Sequence, residues 1–158
     1  MLTSSTVMND DDNAFMQHAI KLAKRAEQEG EVPVGAVIVK DNEIIAEGWN
    51  RPIANHDPTA HAEIQAMRTA AEVLGNYRLP DTTLYVTLEP CLMCIGAITH
   101  ARIKRVVYGA SDPRAGAVHS VYTIPDDRKL NHHVDVEGGL IADQCGQLLR
   151  DFFNRRRK

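Results

Sequence analysis

Two short stretches carry residue types and spacings that could do chemistry: His61-Ala62-Glu63 and, thirty positions after His61, Pro90-Cys91-Leu92-Met93-Cys94. One imidazole and two thiolates are good zinc ligands, and three protein ligands leave one tetrahedral position open for water. That is the arrangement of a catalytic zinc site; a structural site takes a fourth protein ligand. Glu63 lies two residues past His61, so both fall in the first turn of a helix, and its expected job is proton transfer rather than ligation. Alone, a C-x-x-C is weak and could be a thioredoxin-like redox pair, and a lone H-x-E is nearly meaningless. The redox alternative leaves His61 and Glu63 without a purpose. Together, in this order, the two stretches point to a Zn2+ held by His61, Cys91 and Cys94, one per chain, with Glu63 as the catalytic carboxylate.

The elements around these residues must position them. Asn13 to Glu29 reads as an amphipathic helix with Phe15, Ala19, Leu22, Ala23 and Ala26 on one face and Gly30 ending it. Val34–Val39 and Ile44–Trp49 read as a β-hairpin joined at Asp41-Asn42. Asn50 to Thr59 is broken by Pro52, Asn55, Asp57 and Pro58 and reads as loop. A helix from about Ala60 to Leu74 follows, with Asp57 or Thr59 as its cap and Ile64, Met67 and Ala71 facing the core. Leu84–Leu88 is a strand, and Pro90 opens a helix to about His100. Arg105–Gly109 is a strand, and Ser111 to Asn131 is irregular with one short helical turn. His133–Glu137 is a short last strand, and Leu140 to Arg156 a final helix. Both ligand groups thus fall at helix starts, whose positive ends favour thiolate over thiol. Helices alternate with strands, so one sheet with helices on both faces is expected.

Length and composition agree with one soluble domain over residues 13–158, preceded by an acidic, flexible tail over 1–12. Hydrophobic residues make up 44% and charged residues 25% of the 158. No apolar run suits a membrane span, and the start has no signal-peptide pattern. Three cysteines in a chain of this size suit a reducing cytoplasm better than a disulfide framework. The net charge of -3 excludes nucleic-acid binding by bulk charge. Two local basic groups remain: Lys21, Lys24 and Arg25, and Arg155 to Lys158. Cys145 falls inside the last helix pattern and reads as core. His18, His56, His100, His119, His132 and His133 read as surface or satisfied histidines.

H-x-E followed by P-C-x-x-C is also the signature of the zinc nucleobase deaminases. In that chemistry the glutamate takes a proton from water and delivers it to a ring nitrogen, hydroxide attacks the carbon bearing the exocyclic amine, and the glutamate then protonates the departing amine, which leaves as ammonia. The chain resembles the bacterial tRNA-specific adenosine deaminases of the cytidine/deoxycytidylate deaminase superfamily over most of Ala14 to Arg156. The strongest stretches are Glu31 to Val37, Gly48 to Pro52, His56 to Ile64, Asn76 to Leu79, and Leu84 to Cys91 with Met93-Cys94. Asn131-His132 and Asp151-Phe152-Phe153 are similar too.

This resemblance implies a three-layer α/β/α cytidine-deaminase-like fold with a five-stranded mixed sheet. It implies a homodimer, a tRNA anticodon stem-loop as partner, and conversion of the wobble adenosine to inosine. It places Asn50 on the flipped base or its ribose, and an amide suits that because it both donates and accepts. It places Asp112 near the nucleotide backbone. Phe152 and Phe153 divide between core packing and stacking on bases, and the basic C-terminus contacts phosphates. Ser120 to Leu130 and Ser111 depart from the family pattern. Two other readings stay open: a deaminase of free guanine or cytidine-type compounds, and a non-catalytic zinc-stabilised RNA-binding subunit. The second has no use for Glu63.

Overall fold

The structure, a computed structural model, describes residues 9–156. The first helix, α1 (Asp10–Gln28), begins three residues before the expected Asn13. Asn9 Oδ1 accepts from Asp12 N at 2.9 Å, and the Asp12 carboxylate accepts from Asn9 N at 3.1 Å. This reciprocal capping box satisfies two orphan helix donors. Asp10, Asp11 and Asp12 sit where the helix dipole favours acid. The acidic run read as the end of a flexible tail is therefore, at 9–12, the start of the helix. The remainder of that expected tail, 1–8, lies outside the described residues.

The chain continues through β1 (Gly35–Lys40), β2 (Glu43–Trp49), α2 (Pro52–Asn55), α3 (Ala62–Leu74), β3 (Thr82–Leu88) and α4 (Leu92–His100). Then come β4 (Arg105–Ala110), a 3-10 turn at Ile124–Asp126, β5 (Asp135–Glu137) and α5 (Ala142–Arg156). The sheet order is β2-β1-β3-β4-β5. β1 pairs antiparallel with β2 and β3, whereas β3–β4 and β4–β5 are parallel. The mixed five-stranded sheet is the expected one. The β1–β2 turn uses Asp41 and Asn42 at φ 52° and 63°, the left-handed pair that matches strand twist in a two-residue hairpin.

Alternation along the strands builds two cores. Ala36, Ile38, Leu84, Val86 and Val106 face α3 and α4, while Val37, Val39, Tyr85 and Val107 face α1 and α5. The result is helix layers on both sides of one sheet. Cys145 is buried in the second core, as its place in the helix pattern predicts. Burial pushes its thiol up to about 12, so it stays protonated and inert.

Asp12 ties the α1 start to the sheet. Its carboxylate accepts from Tyr85 Oη at 2.5 Å and from both terminal nitrogens of Arg105 at 3.0 and 3.1 Å. Arg105 Nε donates to Glu137 Oε1 at 2.6 Å, which adds β5 to the network.

Candidate metal centre and the cleft beside it

His61 is the N-cap residue of α3, and Cys91 that of α4; neither side chain makes a capping bond. Asp57, an expected cap, instead closes its own turn by accepting from Thr59 N and Oγ1 at 2.8 and 2.7 Å. Pro90 stands one residue before the α4 cap rather than inside the helix. The loop expected over Asn50–Thr59 contains the four-residue helix α2. A four-residue helix has no apolar period to reveal it.

The two caps converge because α3 lies tight on β2 and α4 follows β3. His61, Cys91 and Cys94 offer one ligand atom each, all within 4.8 Å of one another. His61 Nδ1 stands 3.6 Å from Cys91 Sγ and 3.5 Å from Cys94 Sγ. Zinc–nitrogen and zinc–sulfur bonds of ~2.05 and ~2.3 Å at a tetrahedral angle give an edge of about 3.6 Å. The donor set and its spacing therefore fit zinc. Without a metal the two thiols share one charge: the Cys94 thiol, then His61, hold the Cys91 thiol down at about 4, whereas Cys91 and burial push the Cys94 thiol up, so a bound metal would displace the Cys94 proton.

Glu63 occupies the first turn of α3 and is buried. Burial pushes its carboxyl up to about 7, against the lowering effect of its own backbone amide and of His61. A carboxyl poised there both accepts and donates a proton near neutral pH.

A groove of about 970 Å³ opens along α5, lined by Leu88, Asp112, Arg114, Arg150, Phe153 and Arg156 among others. None of His61, Glu63, Cys91 or Cys94 lines it, so the groove flanks the metal centre rather than containing it. The two phenylalanines separate: Phe152 is buried, whereas Phe153 is 43% exposed and faces the groove. Asn50 is buried where β2 ends, its backbone N–H donating to Val34 O at 3.1 Å. Its side-chain amide has no hydrogen-bond partner among the described residues. Asp112 Oδ1 accepts from Arg114 N at 3.0 Å, which shapes the turn after β4.

Two buried carboxylates in the site were not marked by sequence reasoning. Glu31 accepts from Ile53 N at 3.2 Å and Ala54 N at 2.8 Å, anchoring α2 after Asn50. Glu89, directly before Pro90-Cys91, anchors the loop after β4. The available signal was an acid embedded in an otherwise apolar stretch, as in Leu88-Glu89-Pro90. The other histidines are partnered or peripheral: His18 with Glu47, His119 with Tyr108 and Ser111, His132 with Ile103 O.

Two cysteine sulfurs at the start of α4, the His61 imidazole at the start of α3 and a buried carboxylate define a zinc-dependent hydrolase centre. The family described as the cytidine and deoxycytidylate deaminase zinc-binding region matches residues 9–110, and the chain belongs to this family. Its relatives include a tRNA-specific adenosine deaminase of Haemophilus influenzae, 51% identical over 99% of this chain and 91% of that protein. A tRNA-specific adenosine deaminase of Streptococcus pyogenes serotype M1 is 47% identical over 94% of this chain and 87% of its own length. Among solved structures, a tRNA:A34 deaminase that edits A to I at the wobble position superposes with TM-score 0.84 at 46% identity. The match covers 86% of this chain and 99% of that one. A guanine deaminase from Bacillus subtilis superposes with TM-score 0.62 at 41% identity, over 81% and 83% of the two chains. No helix among the described residues is long and apolar enough to cross a membrane.

Proposed function

We propose that this protein hydrolytically deaminates adenosine to inosine at the wobble position of a tRNA anticodon. The observation that carries the reading is the convergence of His61, Cys91 and Cys94 beside the buried Glu63, in a chain 51% identical to a tRNA-specific adenosine deaminase. His61 Nδ1 and the two cysteine sulfurs hold zinc. Zinc, when bound, supplies the Lewis acidity that makes water a competent nucleophile near neutral pH. Glu63 is the catalytic residue of the chain. It takes a proton from the attacking water and delivers it to the purine ring nitrogen as the C–O bond forms; it then takes the proton of the new hydroxyl and gives it to the amine, so that the C–N bond breaks, the carbonyl forms and ammonia leaves. Its burial keeps the proton it carries from exchanging with bulk solvent.

Asn50 orients the base or its ribose with an amide that no chain group occupies. Asp112 meets the nucleotide backbone, and Phe153 offers a face on which a neighbouring base stacks. Arg150 and Arg156 border the same groove, where phosphates would lie. Phe152 supports the helix from beneath. The partners in this reading are the anticodon stem-loop and a second copy of the chain, and cysteine ligands suit a reducing cytoplasm.

A second reading, deamination of a free purine base, has one observation in its favour: the 41% identity with a guanine deaminase. Zinc-loaded protein assayed on an anticodon stem-loop RNA and on free adenosine and guanine decides between them. Inosine in the RNA is expected; turnover confined to the free compounds would overturn the tRNA reading.

A further inference from the structure

The Glu89 carboxylate is buried and lies at the hub of a loop. Its Oε1 accepts from Asp112 N at 3.0 Å and from the Ser120 hydroxyl. Its Oε2 accepts from Val118 N at 3.0 Å, His119 N at 2.9 Å and Ser120 N at 3.0 Å. All five donors come from one segment, 112–120. Gly116 closes the ring: a Cβ there would stand 2.3 Å from the Glu89 carboxyl carbon, so only glycine admits the carboxylate.

The same segment is laid on the metal-binding turn. Ala117 N donates to Pro90 O at 2.9 Å, and Gly116 bridges to Cys91. Glu89 N in turn donates to Ala110 O at 2.8 Å. One three-residue unit, Glu89-Pro90-Cys91, thus carries a metal ligand on one side and folds the cleft wall that presents Asp112 on the other. A segment without helix or strand has no ladder of its own to fix it, so its buried amides depend on this acceptor.

We propose that Glu89 is a positioning residue for substrate. It sets the place of Asp112 and of the loop wall relative to the metal centre, and it does not take part in the proton transfers. The proposal rests on the reading of Asp112 as a contact to the nucleotide. Glu89→Gln is the informative change. With the amide oxygen at the Oε2 place, three backbone donors keep their acceptor. The NH2 then faces Asp112 N–H, and two donors repel.

Three measurements on full-length, zinc-loaded E89Q test this. Zinc content should stay at the wild-type level. Amide hydrogen exchange over 112–120 should quicken about tenfold relative to the rest of the chain. KM for an anticodon stem-loop RNA should rise about tenfold while kcat changes less than about threefold. Ser120→Ala, which removes one donor and leaves the carboxylate, should show the same pattern more weakly and guards against E89Q failing to fold. Unchanged exchange over 112–120, or a fall in kcat with KM unchanged, would overturn the positioning role. If the wild type itself leaves RNA untouched, the tRNA reading fails while the exchange measurement still decides whether Glu89 fixes the loop.

Discussion

Gly48 on β2 lies against the carbonyl of Ala62 on α3: a Cβ on Gly48 would sit 2.2 Å from that oxygen and 2.6 Å from Ala66 N. This close approach seats the N-terminus of α3, with His61 and Glu63, on the sheet. Gly35 has the same relation to α1, with 2.1 Å to Ala19 O. Both Gly→Ala changes should cost about 1–3 kcal/mol through overpacking. Only G48A should also weaken zinc binding, because only it moves a ligand-bearing helix. Denaturant unfolding paired with zinc titration separates the two, and equal zinc affinity in both variants would refute the link.

Glu63 is buried and is proposed to carry protons rather than hold the metal, so its removal should leave the metal centre assembled. Glu63→Ala should bind zinc like the wild type and keep its fold. Its turnover should fall by about 10²–10⁴, the usual worth of a positioned acid–base. Metal analysis and single-turnover assays read this directly. Turnover within a fewfold of wild type would remove Glu63 from the mechanism.

The candidate metal group was legible because ligand chemistry needs only identity and spacing, and His61, Cys91 and Cys94 supply both. That His61 and Cys91 are the cap residues themselves was not, since a cap is a backbone conformation and Asp57 and Thr59 are equally good caps by type. The two-faced sheet was legible from β-branched strands alternating with helices. Its order, with β1 and β3 central and β2 at an edge, depends on contacts between segments that no local pattern records. Asp12 read as solvated tail because its partners, Tyr85 and Arg105, lie more than 70 positions away. Glu89 escaped for a related reason: its partners are backbone amides of an aperiodic loop, and amides carry no residue type.

The Asp12 network gives the fold an acid limit. Burial raises the Asp12 carboxyl, but hydrogen bonds from Arg105, Tyr85 and Asn9 outweigh it and hold its pKa below the usual carboxylate value. A carboxyl depressed in the native state adds stability that is complete above its unfolded pKa of about 3.9 and is lost as pH falls through the lower native value. Unfolding free energy should therefore decline below about pH 4. Asp12→Asn should flatten part of that decline and be less stable at neutral pH by about 1–3 kcal/mol, since Arg105 loses one of its two carboxylate partners and keeps Glu137. Urea titrations at several pH values would show it, and parallel pH profiles for both proteins would contradict it.

Adjacent phenylalanines on α5 should separate stability from binding. Phe152 is 6% exposed and stacks edge-on against Phe153, with the Arg156 guanidinium 4.8 Å from its ring centroid. Phe152→Ala leaves a cavity beneath the helix and should cost about 3 kcal/mol. Phe153, 43% exposed on the groove, has little core contact to lose. Phe153→Ala should change unfolding by less than about 1 kcal/mol. Its affinity for a stem-loop RNA should nevertheless fall by about 1–3 kcal/mol, the range for a base stacked on an aromatic ring. Phe153→Tyr keeps the ring and should restore most of that affinity, whereas Phe153→Leu keeps apolar bulk and should not. Filter binding at one fixed salt concentration is the readout, because any phosphate contacts from Arg150 and Arg156 would shift with salt. Rescue by leucine would mean that Phe153 supplies only apolar area, and the groove would then not be a stacking site.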